Sequence, residues 1–309
     1  MTPTSFDVSV IMPAHNRAGM IAESLSAVFA QTHPPREVIV VDDGSTDNTE
    51  AVATAFPVRY LRIRNSGPSV ARKVGIEAAT SPWLAFCDSD DLWRPGYLAA
   101  MRSVTSDSTN YAFSNWVIVR DGDWSTQDRF SMAPPGFFDH PEEPLYRRLF
   151  GWTPVFPSAT IARRDFVLEI GGFDPRVSRL PTEDFEFLLR CNEHPFAVAQ
   201  REPLVGIRRH EGNLSAGLLK AILSDIKVLG FARDHHRLGK VYRDEIDAEI
   251  LRRTLDSTDL AFRAGDKRLF RELARTLPGS HRSRNFNLKV LLATPHLIPG
   301  PLLARLARI

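Results

Sequence analysis

The chain has 309 residues, of which 43% are hydrophobic and 25% are charged, and its formal net charge is +2. These values are ordinary for a soluble globular protein with a sizeable core, and they exclude a disordered or fibrous chain. No apolar stretch reaches about 18 residues, the start lacks the pattern of a secretory signal, and only Cys87 and Cys191 are present, so we expect a cytoplasmic protein with reduced cysteines.

The first part of the chain alternates strand and helix patterns. Apolar runs typical of buried strands occupy residues 8–12, 37–41, 58–63 and 83–87. Further strand candidates lie at residues 111–119 and 156–162. This order predicts an α/β fold with a mainly parallel but mixed sheet that helices cover on both faces.

Helix signals lie between these runs and after them. Apolar residues from Ile21 to Phe29 have helical spacing, and Ser45 or Asp47 is placed to cap a helix that runs toward Phe56. Two further helices are predicted by the patterns at residues 69–80 and 181–189.

After Asn213 the pattern becomes helical throughout. Three apolar stripes at helical spacing predict three helices, and Gly239 and Gly265 are placed as helix stops. Residues 1–213 carry 21 Lys+Arg and 27 Asp+Glu, whereas residues 214–309 carry 18 and 10. We therefore expect a catalytic α/β domain over residues 1–213 and a basic helical region over residues 214–309.

Three aspartates, Asp88, Asp90 and Asp91, directly follow the strand predicted at residues 83–87. Carboxylates this close repel one another unless a cation lies among them, and their hard oxygens suit Mg²⁺ or Mn²⁺. Ligands of open α/β sheets collect outside the carboxyl ends of such strands, so we expect a metal-diphosphate site here. The similar segment 121–123 follows no buried strand, and we interpret it as a hairpin turn without chemistry.

Five segments together resemble family 2 glycosyltransferases. They are residues 8–17 (VSVIMPAHNR), 40–47 (VVDDGSTD), 88–91 (DSDD), 171–174 (GGFD) and 183–184 (ED). The resemblance implies a GT-A fold, a nucleoside-diphosphate sugar donor with UDP as the expected nucleotide, a divalent cation, and inversion at the anomeric carbon. The strand order alone would also fit other nucleotide-binding enzymes.

The resemblance implies a donor site at the ends of the first two strands. Pro13, Ala14 and Asn16 would meet the base, and Asp43 would accept from its polar edge. Arg72 and Lys73 lie near the start of a helix, where either could approach the diphosphate, and Arg72 is preferred because a guanidinium suits phosphate oxygens. From the residues alone, loop solvation or helix capping would also account for Asp43, and a solvated helix face for Arg72.

The resemblance also assigns the metal site. Asp88 would contact the ribose or the metal, Asp90 would bind the metal directly, and Asp91 would support them or cap a helix. His210 matches a late position of the family where a histidine reaches the metal or the diphosphate, although a lone histidine is more often structural.

For catalysis, the resemblance points to residues 183–184. Asp184 would be the general base that takes the proton from the acceptor hydroxyl, and Glu183 would contact the acceptor. Without the resemblance, acidic residues in a first helical turn are explained by the helix dipole alone. The acceptor is expected to be a saccharide or a lipid-linked saccharide in polysaccharide or glycolipid assembly.

The last residues, 273–309, contain no acidic side chain and interleave Lys and Arg with apolar residues. Such a segment fits either peripheral contact with the inner face of an anionic membrane or a packed helical hairpin with a solvated basic face. We expect no nucleic-acid partner, because few aromatic residues interleave with the cations.

Two other kinds of protein remain as alternatives. Haloacid-dehalogenase-like phosphotransferases also use Asp-x-Asp after a strand, but a Thr or Val follows the aspartate nucleophile there, where this chain has Asp91 and Leu92, and this position argues against them. A non-catalytic nucleotide-sugar-binding or scaffold protein of the same fold would keep Asp43 and Asp90 but would not need Asp184.

Overall fold

The computed structural model describes residues 5–120, 122–139, 143–195, 197–210 and 217–278. Within them, one eight-stranded sheet has the order β3-β2-β1-β4-β7-β6-β8-β5. The strands are β1 (Val8–Ala14), β2 (Glu37–Asp42), β3 (Arg59–Arg62), β4 (Trp83–Phe86), β5 (Leu92–Trp93), β6 (Tyr111–Val119), β7 (Thr160–Arg163) and β8 (Val198–Arg208). β1 pairs in parallel with β2 and β4, β2 with β3, and β6 with β8, whereas β7 and β5 are antiparallel to their partners. The predicted mainly parallel, mixed sheet is confirmed.

Helices connect and cover these strands. They are α1 (Ile21–Phe29), α2 (Thr49–Ala53), α3 (Pro68–Ala78), α4 (Tyr97–Val104), α5 (Arg164–Glu169), α6 (Glu183–Cys191), α7 (Leu218–His235), α8 (Arg237–Val241), α9 (Arg243–Arg263) and α10 (Lys267–Thr276).

The strands at the centre of the sheet are buried on both faces because their side chains alternate between two cores. On β1, Ile11 packs in a core with α3, α6 and α7, while Val10 and Met12 pack in a second core with α1 and α4. Gly75 of α3 lies so close to Ile11 that an added Cβ would overlap its side chain. A glycine at this position therefore lets the helix approach the sheet.

Strands β1, β2 and β4 end at the same edge of the sheet. In the parallel register Ala14 lies opposite Asp42, and Ile11 lies opposite Phe86. The chain segments that follow β2 and β4 therefore leave the sheet side by side, and they contain Asp43 and Asp88.

Some predicted details are wrong. Gly239 is no helix stop but lies inside α8, where an added Cβ would overlap the carbonyl of Ala232, so it allows α8 to pack on α7. Helix α2 is short, and Ser45 does not cap it, since its hydroxyl accepts from the backbone N–H of Asn16. The other candidate, Asp47, accepts through Oδ1 from the N–H of Thr49, the first residue of α2, at 3.0 Å. The sequence patterns also missed β5, β8, α4, α5 and α8.

Helices α7, α8 and α9 contribute to the same core as the sheet, whereas α10 packs on α9 in a separate small cluster. Val228, Leu229 and Ala232 of α7 belong to the cluster that contains Ile11. The predicted boundary after Asn213 and most of the basic tail, residues 279–309, lie outside the described residues. Of the helices that are described, none combines the length and the hydropathy needed to cross a bilayer.

Candidate active site

A cavity of about 560 Å³ opens at the edge where β1, β2 and β4 end. It brings together most of the site residues expected from the sequence, namely Pro13, Ala14, Asp43, Arg72, Asp88, Asp90, Glu183 and Asp184. Asn16 and His210 are not among the described residues that line it. Carboxylates from three distant segments of the chain thus face one space.

Asp43 holds the loop that precedes α3. Its two carboxylate oxygens accept from the backbone N–H groups of Ser66 at 2.6 Å and Gly67 at 2.8 Å. Gly67 has a φ of 96°, and an added Cβ would lie 2.5 Å from Oγ of Ser178. The loop before α3 is therefore fixed on one side by Asp43 and on the other by the loop that leads to α6.

Asn16 joins two loops instead of facing the cavity. It has the left-handed φ of 51°, its Oδ1 accepts from the N–H of Thr46 at 2.8 Å, and its own N–H donates to Ser45 Oγ at 2.9 Å. The neighbouring His15 lines the cavity and lies 2.9 Å from the carbonyl oxygen of Asp43 through its Nδ1. His15 was overlooked in the sequence although it lies in the quoted motif.

Arg72 connects the metal-site segment to the start of α6. Its guanidinium donates to Asp88 Oδ1 at 2.7 Å and to Glu183 Oε1 at 2.6 Å, and it lies 5.0 Å from the centre of the Phe173 ring. Arg72 is 3% exposed, so the pairing is formed in a largely desolvated wall of the cavity. The side chain expected to approach a diphosphate thus already pairs with two carboxylates.

Glu183 and Asp184 share the first turn of α6. Burial raises the pKa of Asp184 to about 6; the charge of Arg72 opposes this effect, and those of Asp88 and Asp225 add to it. Burial likewise raises the pKa of Glu183 to about 8 against the effect of Arg72. Asp184 Oδ1 accepts only the adjacent N–H of Phe185, at 3.0 Å, among the described residues. Asp184 is therefore ionised at neutral pH and is open to the cavity.

Asp88, Asp90 and Asp91 have ligand oxygens within 4.8 Å of one another. Two hydrogen bonds fix the side chain of Asp91, which accepts from Ser158 Oγ at 2.5 Å and from the N–H of Arg208 at 3.0 Å. Burial, with the charges of Asp90 and Asp88, raises its pKa. It caps no helix, because β5 follows it.

Asp88 and Asp90 are more available to a cation. Among the described residues, Asp88 Oδ2 and Asp90 Oδ1 have no hydrogen-bond partner, and both side chains line the cavity. Two free carboxylate oxygens beside a third aspartate suit a hard divalent cation. The donor set therefore fits Mn²⁺ or Mg²⁺, with Asp91 as the fixed support.

Two cationic or ionisable groups meet Asp90. His210 Nε2 lies 3.0 Å from Asp90 Oδ2, and Arg17 lies 3.4 Å from the same oxygen. Arg208, the last residue of β8 and two positions before His210, donates to the carbonyl of Asp90 and to Glu23. No sequence pattern pointed to Arg208, because its contacts depend on how β8 pairs with the sheet.

The C-terminal helices support the wall that carries Asp184. The hydroxyl of Ser224, on α7, accepts from the N–H of Thr182 at 3.1 Å. His236 Nε2 lies 2.9 Å from Glu186 on α6, and the same carboxylate oxygen accepts from Arg190 at 2.6 Å. The helical region thus fixes both the start and the middle of α6.

Comparison with known proteins identifies the family that the sequence matches. The sequence model described as Glycosyl transferase family 2 matches residues 9–171, which is more than half of the chain. The succinoglycan biosynthesis protein ExoO of Rhizobium meliloti is 41% identical over 99 residues, 31% of this chain and 28% of ExoO. The chain spans about half the length, or less, of curated relatives such as ExoO and a glycosyltransferase of Nostoc sp..

Solved structures share the fold. S. aureus TarS 1-349 in complex with UDP-GlcNAc has a TM-score of 0.63 and 20% identity, covering 94% of this chain and 84% of TarS 1-349. The mannosyltransferase PcManGT from Pyrobaculum calidifontis, in complex with GDP-Man and Mn²⁺, has a TM-score of 0.55 and 18% identity, covering 96% of this chain and 89% of PcManGT. At these identities the likeness shows the fold alone, which is the GT-A fold.

Proposed function

The chain belongs to glycosyltransferase family 2, and from this premise we propose that it moves a sugar from a UDP-linked donor to a hydroxyl group with inversion at the anomeric carbon. The acceptor would be a saccharide or a lipid-linked saccharide in polysaccharide or glycolipid assembly. The similarity to a succinoglycan biosynthesis protein supports this setting, and the fold shared with a UDP-GlcNAc-bound protein supports the donor. The cytoplasmic location, with or without contact at the inner membrane face, stays a prediction.

One observation carries the proposal: Asp43, Asp90 and Asp184 line the same cavity although they lie in distant segments of the chain. A transferase needs the donor base, the diphosphate and the acceptor hydroxyl in one space, so that the reacting atoms meet. Separate pockets for these carboxylates would not permit a direct displacement.

At the donor end, Pro13, Ala14 and Asp43 would hold the base. The carboxylate of Asp43 accepts two backbone N–H groups, and it has further lone pairs that can accept from a base edge. His15, which lines the cavity beside Asp43, extends this surface.

Asp88 and Asp90 would hold the divalent cation, with His210 beside Asp90. When bound, such a cation offsets the negative charge of the diphosphate and of the leaving group. Arg17, 3.4 Å from Asp90, would contribute a fixed positive charge at the same place.

At the acceptor end, Asp184 would act as the general base. It would take the proton of the acceptor hydroxyl while the acceptor oxygen forms a bond to the anomeric carbon, and the carbon–oxygen bond to the diphosphate would break with its electron pair leaving on the diphosphate. Attack opposite to the leaving group inverts the configuration. Glu183, held by Arg72, would position the acceptor next to Asp184.

One experiment distinguishes the proposed transferase from the second candidate, a binding protein without catalysis. We expect UDP release from a UDP-sugar with Mn²⁺ to fall by about 10²–10⁴ in Asp184→Asn, because a general base contributes about that factor. UDP binding to the variant, measured by calorimetry, should be retained. If no UDP-sugar in a broad panel is turned over by the wild type although UDP binds, the binding-protein alternative is correct.

A further inference from the structure

Two exposed cations, Arg179 and Lys220, line the cavity at the wall that carries Asp184. Arg179 lies in the loop that leads into α6. Lys220 lies in the first turn of α7, one turn before Ser224, whose hydroxyl binds the N–H of Thr182. The two cations therefore flank the start of α6, where Asp184 is located.

The other acidic groups near this wall already have cationic partners. The pairs are Asp174 with Arg176, Glu183 with Arg72, Glu186 with Arg190, and Asp225 with Arg253. Within the part of the chain that the structure describes, neither Arg179 nor Lys220 forms an ion pair or a side-chain hydrogen bond. Their positive charges are therefore not paired with acidic side chains of the described residues.

The donor does not account for these cations either. Arg17 and His210 lie beside Asp90, on the side of the cavity where the metal site is located. Under the proposed function, the diphosphate occupies that side, and the acceptor approaches Asp184. The positive charge of Arg179 and Lys220 therefore faces the acceptor.

Resting on the proposed function, we infer that the acceptor is an anionic saccharide, with a carboxylate or a phosphate group close to the accepting hydroxyl. Such a group would otherwise be repelled by the carboxylate of Asp184, which lies in the same cavity and has no cationic partner among the described residues. Arg179 and Lys220 offset this repulsion and bind the anion, and a guanidinium suits the planar oxygens of a carboxylate or the oxygens of a phosphate. A neutral saccharide would gain nothing from them.

The test measures binding, so that it does not depend on turnover. Fluorescently labelled trigalacturonate, a glycerol phosphate trimer and neutral maltotriose are titrated against the full chain with saturating UDP and Mn²⁺, which keeps the probes out of the donor site. We expect at least one anionic probe to bind at least tenfold more tightly than maltotriose. Preference for trigalacturonate identifies a carboxylate acceptor, and preference for the glycerol phosphate trimer identifies a phosphate acceptor.

The variant Arg179→Glu/Lys220→Glu should lose at least tenfold in affinity for the preferred anionic probe. Its matched control is Lys240→Glu/Lys267→Glu, which changes the net charge equally at exposed positions of α8 and α10. The control should bind as the wild type does. Equal losses in both variants, or equal binding of neutral and anionic probes by the wild type, would overturn the inference.

Failure of the proposed function has a different signature. In that case no UDP-sugar is turned over, whatever saccharide binds. If turnover occurs with neutral acceptors and the acceptor KM is unchanged in Arg179→Glu/Lys220→Glu, only the inference about the acceptor is wrong.

Discussion

Arg72 and Glu183 lie 111 positions apart in the sequence, and a 2.6 Å hydrogen bond joins their side chains in the wall of the cavity. Both are buried, and Arg72 also donates to Asp88 at 2.7 Å. Through one guanidinium, the segment that would hold the metal is linked to the helix that carries Asp184. A single side chain thus couples the positions of the proposed donor and acceptor sites.

We expect Arg72→Met to lower the free energy of unfolding by about 3–5 kcal/mol at pH 9, above the folded pKa of Glu183, because removal of one partner leaves a buried carboxylate without its cation. Urea denaturation measures this loss. The double variant Arg72→Met/Glu183→Gln should lose less than the sum of the two single variants, since it leaves no unpaired charge at Glu183. Strictly additive losses would show that the pair contributes no coupling.

The rate of sugar transfer should depend on the ionisation of Asp184. Burial raises the pKa of this carboxyl to about 6, and the proposed base acts only when ionised. We expect kcat/KM to rise about tenfold per pH unit below pH 6 and to level off above it. The residual activity of Asp184→Asn should not show this fall of kcat/KM below pH 6. If the variant shows the same fall, a group other than Asp184 causes it.

The same pKa predicts an effect on stability. Because the folded pKa of Asp184, about 6, lies above the ordinary 3.8, the folded protein binds more protons between these values, and stability falls as the pH rises through this window. Without metal, Asp184→Asn should therefore be more stable than the wild type by about 1–3 kcal/mol at pH 8. Thermal or urea unfolding at pH 8 and pH 4 checks this, and a gain that is larger at pH 4 would contradict it.

Gly67→Ala should destabilise the protein by about 1–3 kcal/mol and weaken UDP binding, because the new Cβ would meet Ser178 and the loop held by Asp43 would shift. Gly96→Ala is the matched control. Gly96 has a φ of −86°, and no atom lies within 4 Å of an added Cβ. The free energy of unfolding of Gly96→Ala should therefore stay within about 0.5 kcal/mol of the wild-type value. Urea midpoints and UDP titrations of both variants provide the comparison.

Asp90→Asn should abolish the part of UDP affinity that depends on Mn²⁺, because it removes a ligand charge from the proposed metal site. Thermal shift with UDP, with and without chelator, measures this part. Asp123→Asn, in the other Asp-x-Asp segment, should behave as the wild type, since Asp123 is exposed and accepts only from Ser125 among the described residues. A chelator-independent UDP affinity in the wild type would contradict the metal assignment.

The central strands were predictable because most of their residues are apolar. β1, β2 and β4 are buried on both faces, and parallel pairing places the acidic residues that follow them at one edge. β8 was not predictable. It has Arg201, Glu202 and Pro203 in its exposed middle, which interrupt any apolar alternation, although its end positions Arg208 and His210 at the aspartates.

Within the site, the sequence indicated which residue types to expect but not their partners. The hydrogen bonds of Asp43 to the loop before α3 depend on how three segments pack, and no local spacing encodes them. The role of Asn16 between two loops requires a left-handed backbone, which a sequence motif does not reveal. Arg179 and Lys220 carry no motif, and only their place at the cavity marks them.

The contacts of Thr182 with Ser224 and of Glu186 with His236 restrict how such enzymes can be recombined. A chimera that took its sheet and α6 from this protein and its C-terminal helices from a relative would leave Glu186 with Arg190 alone and Thr182 without its hydroxyl partner, unless His236 and Ser224 were kept. An exchange of acceptor preference between relatives should therefore succeed only when α6 and α7 are exchanged together.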